Sequence, residues 1–66
     1  MQLQVNGELH TVADQLTVAM LLEELQFTGR RIAVEVNEAI VPRSQHDQHQ
    51  LQGNDRVEIV HAIGGG

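Results

Sequence analysis

The sequence predicts an α+β domain in which one helix packs on a mixed β-sheet of four to five strands. Two observations lead to this prediction. Several short segments alternate apolar and polar residues with the period of a β-strand, and one segment, residues 18–27, repeats apolar residues with the period of a helix. Because a single helix covers only one face of a sheet, the elements are expected to form two layers around one core.

The first two strands are predicted to form a hairpin over residues 2–12. The turn is expected at Asn6-Gly7, because both residues tolerate the positive φ that a type I′ turn requires. The residues expected to share the core-facing side are Leu3 and Val5 in the first strand, and Leu9 with Thr11 or Val12 in the second.

The helix is predicted over residues 18–27. Thr17 offers a hydroxyl group that can cap its first turn, and Gly29 is expected to end it. Apolar residues recur at intervals of three and four positions, while acidic and amide side chains take the opposite face. The residues expected on the core face are Val18, Leu21, Leu22 and Leu25.

Two further strands follow the helix. Residues 32–36 alternate in polarity and are expected to form a strand whose Ile32, Val34 and Val36 face the core. Asn37-Glu38 then turns the chain. The next segment, residues 39–41, is predicted to be a short edge strand that Pro42 ends, because proline cannot donate a hydrogen bond to a ladder.

The last part of the domain is a polar segment followed by a strand. We expect residues 44–52 to form a solvated loop with one helical turn, and residues 56–62 to form the last strand. The alternation of this strand predicts one core-facing set and one outward-facing set of side chains. The first set is Val57 and Ile59, and the second set is Glu58, Val60 and Ala62.

The order of these elements predicts the β-grasp, or ubiquitin-like, arrangement. The first strand needs a neighbour on both sides for the sheet to close around the helix. A parallel pairing of the first strand with the last, in the middle of the sheet, satisfies that need. We therefore expect a β-grasp domain over residues 1–63 and a flexible glycine tail over residues 64–66.

The composition limits the classes of partner. The 66 residues carry a net charge of −5, which disfavours nucleic acids and anionic membranes as partners and favours a basic protein surface. The chain has no cysteine, so neither a disulfide nor a cysteine-ligated zinc ion is expected. Since there is no signal-like N-terminus and no apolar run of membrane-spanning length, we expect a cytoplasmic protein.

The four histidines do not predict a metal site. His46 and His49 lie close together in the polar segment, but a structural zinc ion needs four ligands and the other histidines are remote in sequence. We expect the first pair to be solvated, and His10 and His61 to be half-buried or exposed on strands. Arg43 is expected to pair with an acid either on this chain or on a partner.

The chain ends on three glycines, directly after the last predicted strand. Glycine has no side chain and is free in φ, so such a tail can enter a narrow enzyme channel and present the α-carboxylate of Gly66 to chemistry. An ordinary disordered terminus is the alternative. The residues of the tail are Gly64, Gly65 and Gly66.

An apolar patch is predicted where the last strand leads into this tail. Val60 and Ala62 lie on the outward face of the strand, and Ile63 follows them. We expect these three residues to dock a partner protein. The alternative is that they are scattered surface hydrophobic residues, which are common in folded proteins.

Over its whole length the chain resembles the ThiS family, the sulfur carrier proteins of thiamine-thiazole biosynthesis. The resemblance depends on several segments together, since a terminal Gly-Gly also occurs in ubiquitin-like proteins and in the small subunit of molybdopterin synthase. The segments are Met1-Gln2-Leu3, Thr17-Val18 with Leu21-Leu22-Glu23, Val36-Asn37-Glu38-Ala39-Ile40-Val41-Pro42-Arg43, and Ala62-Ile63-Gly64-Gly65-Gly66.

The resemblance implies a function and a set of partners. An E1-like adenylyltransferase would use ATP to adenylate Gly66, and a persulfide from a sulfur-donor protein would then replace AMP. The resulting thiocarboxylate would deliver sulfur to thiazole synthase. The chain itself would bind no cofactor and would be a co-substrate rather than an enzyme. The alternatives are the sulfur carrier of molybdopterin synthesis and a ubiquitin-like interaction module with an inert tail.

Overall fold

A computed structural model describes residues 1–27 and 31–61 of the chain. The elements follow in this order: β1 (Gln2–Val5), β2 (Glu8–Thr11), α1 (Val18–Glu24), β3 (Ile32–Val36), β4 (Ala39–Val41), a 3₁₀ turn (Arg43–Gln45) and β5 (Arg56–His61). Within the two described ranges, no helix is long and apolar enough to cross a membrane.

The five strands form one mixed sheet in the order β2-β1-β5-β3-β4. β1 and β5 lie parallel at the centre, and the other neighbouring strands are antiparallel. The strand that Pro42 ends, β4, lies at an edge as predicted. The sheet, its single helix and the parallel pairing of the first and last strands confirm the predicted β-grasp fold.

The core lies between α1 and one face of the sheet. Val18 and Leu21 of the helix are fully buried, while Leu22 and Leu25 are half-buried and pack against the same core. The strands contribute alternate residues, as the period of a pleated strand requires. The buried apolar residues are Leu3, Val5, Leu16, Val18, Leu21, Val34, Val36, Val41, Leu51, Val57 and Ile59.

The first hairpin forms as predicted, but its second strand turns toward the core the face that was predicted to point outward. Asn6 and Gly7 have φ values of 49° and 84°, as a type I′ turn requires. This turn pairs Gln4 with Leu9. Directly paired residues lie on the same side of a sheet, so Leu9 points away from the core and is 72% exposed. The prediction that Leu9 faces the core is therefore wrong. Val12, which was predicted as a possible core residue of the same strand, does pack against the core.

The helix begins where predicted and ends sooner. The Oγ1 atom of Thr17 accepts a hydrogen bond from the amide of Met20 at 3.2 Å, which confirms the predicted cap. At the other end, Gln26 has a left-handed backbone with φ of 62°, and the amides of Gln26 and Phe27 donate to carbonyl groups of the last turn. This Schellman pattern ends the helix before the predicted stop, Gly29, which lies outside the described residues.

The polar segment after β4 is only partly solvated, so that prediction is wrong for two residues, His46 and Leu51. The helical turn is present, but His46 is only 8% exposed, and its Nε2 atom lies 3.1 Å from the carbonyl oxygen of Val41. The carbonyl oxygens of His46 and His49 accept hydrogen bonds from the first two amides of α1. Since these amides have no partner within the helix, the segment is held against the helix N-terminus.

Candidate functional site

The candidate site is the second half of β5 together with the face of the sheet that α1 does not cover. We call this face the open face and define it by the outward-facing residues of three strands. These residues are Ala33, Glu35, Ile40, Arg56, Glu58 and Val60. The other residues of the predicted site lie outside the described ranges, so their roles stay predictions. They are Ala62, Ile63, Gly64, Gly65 and Gly66.

Val60 lies on the open face, as the alternation of β5 predicts. Its side chain is 56% exposed, whereas Ile59 before it is buried in the core. Val60 is paired directly with Ala33 of β3, so two small apolar side chains lie side by side. The outward orientation of Val60 is confirmed, and its role in docking stays a prediction.

Two acidic residues, Glu35 and Glu58, lie next to Val60 on the open face. Glu58 of β5 is paired directly with Glu35 of β3, and Glu35 is paired in turn with Ile40 of β4, which is 72% exposed. Like charges directly opposite each other destabilise a pair of strands. A basic side chain of a partner protein would reduce this repulsion, so the part of the open face around Glu35 and Glu58 combines apolar contact area with a preference for positive charge.

The start of β5 is fixed by the turn between β3 and β4. The amide of Asn37 donates to the carbonyl oxygen of Arg56 at 2.7 Å, and the amide of Arg56 donates to Asn37 Oδ1 at 2.9 Å. Asn37 Nδ2 donates to Asp55 Oδ1, while Asp55 Oδ2 accepts from the amide of Gln52. The Asp55 carboxylate therefore holds the turn that leads into β5.

The middle of β5 is fixed by the turn of the first hairpin. The amide of Asn6 donates to the carbonyl oxygen of Val57 at 2.9 Å, and the Asn6 side chain binds both backbone groups of Ile59. The sequence identified Asn6 and Asn37 only as turn residues. Their hydrogen bonds to β5 join residues that are far apart in the chain, and no local pattern indicates them.

The end of β5 contacts the segment that follows the helix. The ring centroids of Phe27 and His61 lie 5.7 Å apart, with an angle of 38° between the ring planes. His61 is also paired with Ile32, the first residue of β3. The last described residue of β5 is thus held by one neighbouring strand and by one aromatic ring.

The histidines have separate surroundings. The Nε2 atom of His46 is hydrogen bonded to the carbonyl oxygen of Val41 in β4. The Nε2 atom of His10 lies 3.8 Å from a carboxylate oxygen of Glu8, and both of these residues belong to β2. Within residues 1–27 and 31–61, no group of three or more histidine, cysteine, aspartate or glutamate side chains could hold a metal ion.

Comparison with known proteins identifies relatives over the whole length of the chain. The sulfur carrier protein ThiS of Escherichia coli is 36% identical over 66 residues, which cover all of both chains. The crystal structure of the thiamine biosynthesis protein ThiS from Geobacter metallireducens superposes with a TM-score of 0.88 at 35% identity, again with full coverage of both chains.

A second kind of relative is much longer. The thiazole synthase of Paramagnetospirillum magneticum is 44% identical over 66 residues, which cover all of this chain but only 20% of that protein. The model of the ThiS family matches residues 3–66. Since this match covers almost the whole chain and a solved ThiS structure has the same fold, the chain belongs to the ThiS family.

Proposed function

We propose that this chain is a sulfur carrier that supplies sulfur for the thiazole part of thiamine. The observation that carries the proposal is the family match, which runs from residue 3 through the β-grasp domain to Gly66. The Escherichia coli relative named as a sulfur carrier aligns over the same full length. The proposal gives the glycine tail a chemical role and gives the folded domain the role of a handle that partners recognise.

The chemistry that we propose takes place at the α-carboxylate of Gly66. A carboxylate with a reference pKa of about 3.5 is ionised at neutral pH and is a poor electrophile. An E1-like adenylyltransferase therefore activates it: a carboxylate oxygen attacks the α-phosphorus of ATP, pyrophosphate leaves, and an acyl adenylate forms. The sulfur of a persulfide then attacks the carbonyl carbon and AMP leaves. A thiol reduces the resulting acyl disulfide and releases the thiocarboxylate.

The acceptor that we propose is thiazole synthase. Support comes from two thiazole synthases that each contain, within a much longer protein, a region similar to the whole of this chain. In this scheme all catalytic groups and the ATP site belong to partner proteins, so the chain acts as a co-substrate. Because the activating step consumes ATP, we place the carrier in the cytoplasm.

The docking surface that we propose is the open face at the end of β5. Val60 would provide apolar contact next to the tail, and Ala62 and Ile63 would extend that contact. The paired carboxylates of Glu35 and Glu58 favour a partner with basic side chains at the matching position. The exposed position of Val60, in the strand that leads directly into the tail, supports this assignment.

An intact-mass measurement tests the carrier function. The chain, ending at Gly66, is incubated with ATP, the adenylyltransferase and a persulfide donor. We expect a mass increase equal to the difference between a sulfur atom and an oxygen atom. Deletion of Gly65 and Gly66 should abolish this increase and change the free energy of unfolding by less than about 0.5 kcal/mol, because glycine has no side chain to contribute to the core.

Three outcomes separate the proposal from its alternatives. An unmodified wild-type chain would support an interaction module with an inert tail. A truncated chain that still gains sulfur would contradict the role of the tail. If the loaded chain supplies sulfur to molybdopterin synthase and not to thiazole synthase, the carrier function holds but the pathway is the alternative one.

A further inference from the structure

β5 continues past the end of its central neighbour, β1. The parallel pairing of the two strands consists of Gln4 with Arg56 and Val5 with Val57, after which the hairpin turns away. On its other side, β5 remains paired with β3 as far as His61. Among the described residues, the second half of β5, which leads to the tail, therefore has a neighbouring strand on one side only.

Beyond the end of β1, the side chain of Asn6 provides the hydrogen bonds that a neighbouring strand would otherwise make with β5. The amide of Ile59 donates to Asn6 Oδ1 at 2.8 Å, and Asn6 Nδ2 donates to the carbonyl oxygen of Ile59 at 3.2 Å. A carboxamide has the same donor and acceptor as a peptide group, so these two bonds continue the ladder by one residue. Within the described part of the chain, Asn6 is the last hydrogen-bond partner of β5 on this side.

The position of this contact links it to the candidate site. Ile59 is buried and directly precedes Val60, and both bonds to Asn6 are partly shielded from water. Asn6 is itself fixed, because it lies in the type I′ turn and its own amide binds Val57. Together with the pairing to β3 on the other side, the contact therefore fixes the backbone of β5 at Ile59.

We propose that Asn6 is a positioning residue for the activation of Gly66. This inference depends on the proposed function. By holding Ile59, Asn6 keeps the adjacent Val60 directed toward the open face, where we propose that the adenylyltransferase docks. A small displacement of the reacting group is costly in enzyme catalysis, so loss of this contact should slow the activation step more than it destabilises the fold.

Asn37 provides a matched control. It is also an asparagine with a left-handed backbone in a two-residue turn, with φ of 53° against 49° for Asn6. Its side chain also accepts a hydrogen bond from the backbone of β5, but at Arg56, the end of the strand remote from the tail. Replacement by glycine keeps the left-handed backbone at either position and removes only the side-chain bonds.

The experiment compares Asn6→Gly with Asn37→Gly in the full chain. The rate of ATP–pyrophosphate exchange by the adenylyltransferase is measured at a temperature at which both variants are folded, together with urea melts. We expect Asn6→Gly to lower kcat/KM by about tenfold or more relative to Asn37→Gly. The urea midpoint of Asn6→Gly should lie somewhat below that of Asn37→Gly, because the two bonds of Asn6 are partly buried and the two bonds of Asn37 are exposed.

Amide exchange gives a reading that does not depend on any partner. We expect exchange at Ile59 to accelerate by about tenfold or more in Asn6→Gly and to stay near the wild-type rate in Asn37→Gly. In Asn6→Asp, an ionised carboxylate lacks the donor that the carbonyl group of Ile59 needs. The carboxylate still accepts from the amide of Ile59, so exchange at Ile59 should stay slower in Asn6→Asp than in Asn6→Gly.

The outcomes separate this inference from the proposed function. If the wild-type chain supports pyrophosphate exchange and the two glycine variants have equal kcat/KM, the positioning role of Asn6 is wrong and the carrier function stands. If the wild-type chain supports no exchange, the carrier function fails first. Unchanged amide exchange at Ile59 in Asn6→Gly would overturn the inference in either case.

Discussion

The two faces of the sheet contribute different properties, although the same strands form both. In β5, Val57 and Ile59 are buried beneath α1, whereas Glu58 and Val60 are exposed on the open face. Val57 and Val60, which are three positions apart, therefore have opposite surroundings: the first is buried and the second is exposed. The direction of a side chain from the pleated backbone, rather than its residue type, decides whether it stabilises the fold or is available to a partner.

The covered face and the open face also differ in chemistry. Apolar side chains from α1 and the strands fill the covered face, while the open face places acidic residues beside exposed apolar ones. Burial of apolar area is the main favourable term in folding, and charged side chains on an open face contribute little to it. Variants on the covered face should therefore change stability, and variants on the open face should change binding.

The largest expected effect is at the centre of the covered face. Leu21→Ala removes a fully buried side chain from α1 and should reduce the free energy of unfolding by about 2–5 kcal/mol. At about 0.05–0.15 kcal/mol per residue, the whole domain has only about 3–10 kcal/mol to lose. Urea melts measure the change.

The adjacent leucine is the control for this prediction. Leu22 is half-buried on the same helix, so Leu22→Ala should cost clearly less than Leu21→Ala. Equal losses for the two variants would show that the helix is rotated about its axis relative to the arrangement described above.

A smaller loss of stability is expected at the edge of the covered face. His46→Ala removes the buried hydrogen bond to the carbonyl oxygen of Val41 and should cost about 1–3 kcal/mol. His49→Ala is the matched variant, because His49 assists the helix N-terminus through its backbone carbonyl group, which the substitution keeps. It should change stability by less than about 0.5 kcal/mol. Similar losses at the two positions would contradict the role assigned to the His46 side chain.

The smallest effect on stability is expected on the open face, together with a clear effect on binding. Val60→Asp places a charge that points to water, so the free energy of unfolding should change by less than about 0.5 kcal/mol. Binding to the adenylyltransferase should weaken by about tenfold or more, because the carboxylate would be buried without a partner in the complex.

Leu9→Asp is the control for the docking surface. Leu9 is exposed on the same side of the sheet but lies on the edge strand β2, away from the end of β5. Titrations of the adenylyltransferase should show unchanged affinity for this variant. If both aspartate variants bind as the wild type does, the open face is not the docking surface and the tail alone carries recognition.

The elements and most of the core could be predicted from the sequence because they depend on local periods. The alternation of β3 placed Val34 and Val36 in the core, and the spacing in α1 placed Val18 and Leu21 there, as the structure confirms. The Asn6-Gly7 turn was also predictable, since few residue pairs tolerate two positive φ values.

The errors at Leu9 and at His46 arise because burial depends on contacts with segments outside the local pattern. A period of two divides a strand into two faces but does not say which face meets the core; for β2 the hairpin register decides this, and it turns Leu9 outward. His46 was predicted to be solvated because its neighbours in sequence are polar. It is buried because the segment folds back against the N-terminus of α1.

The sequence by itself determined the helix, the strands, the β-grasp order and the resemblance to the ThiS family, because these depend on local periods, on the order of the elements along the chain, or on a motif. Only the tertiary structure decided which side of β2 faces the core, that His46 is buried, and that Asn6 binds Ile59. Asn6 and Ile59 are separated by 53 positions in the chain. A contact of this kind exists only once the sheet has formed, since folding brings both backbone groups to one side chain.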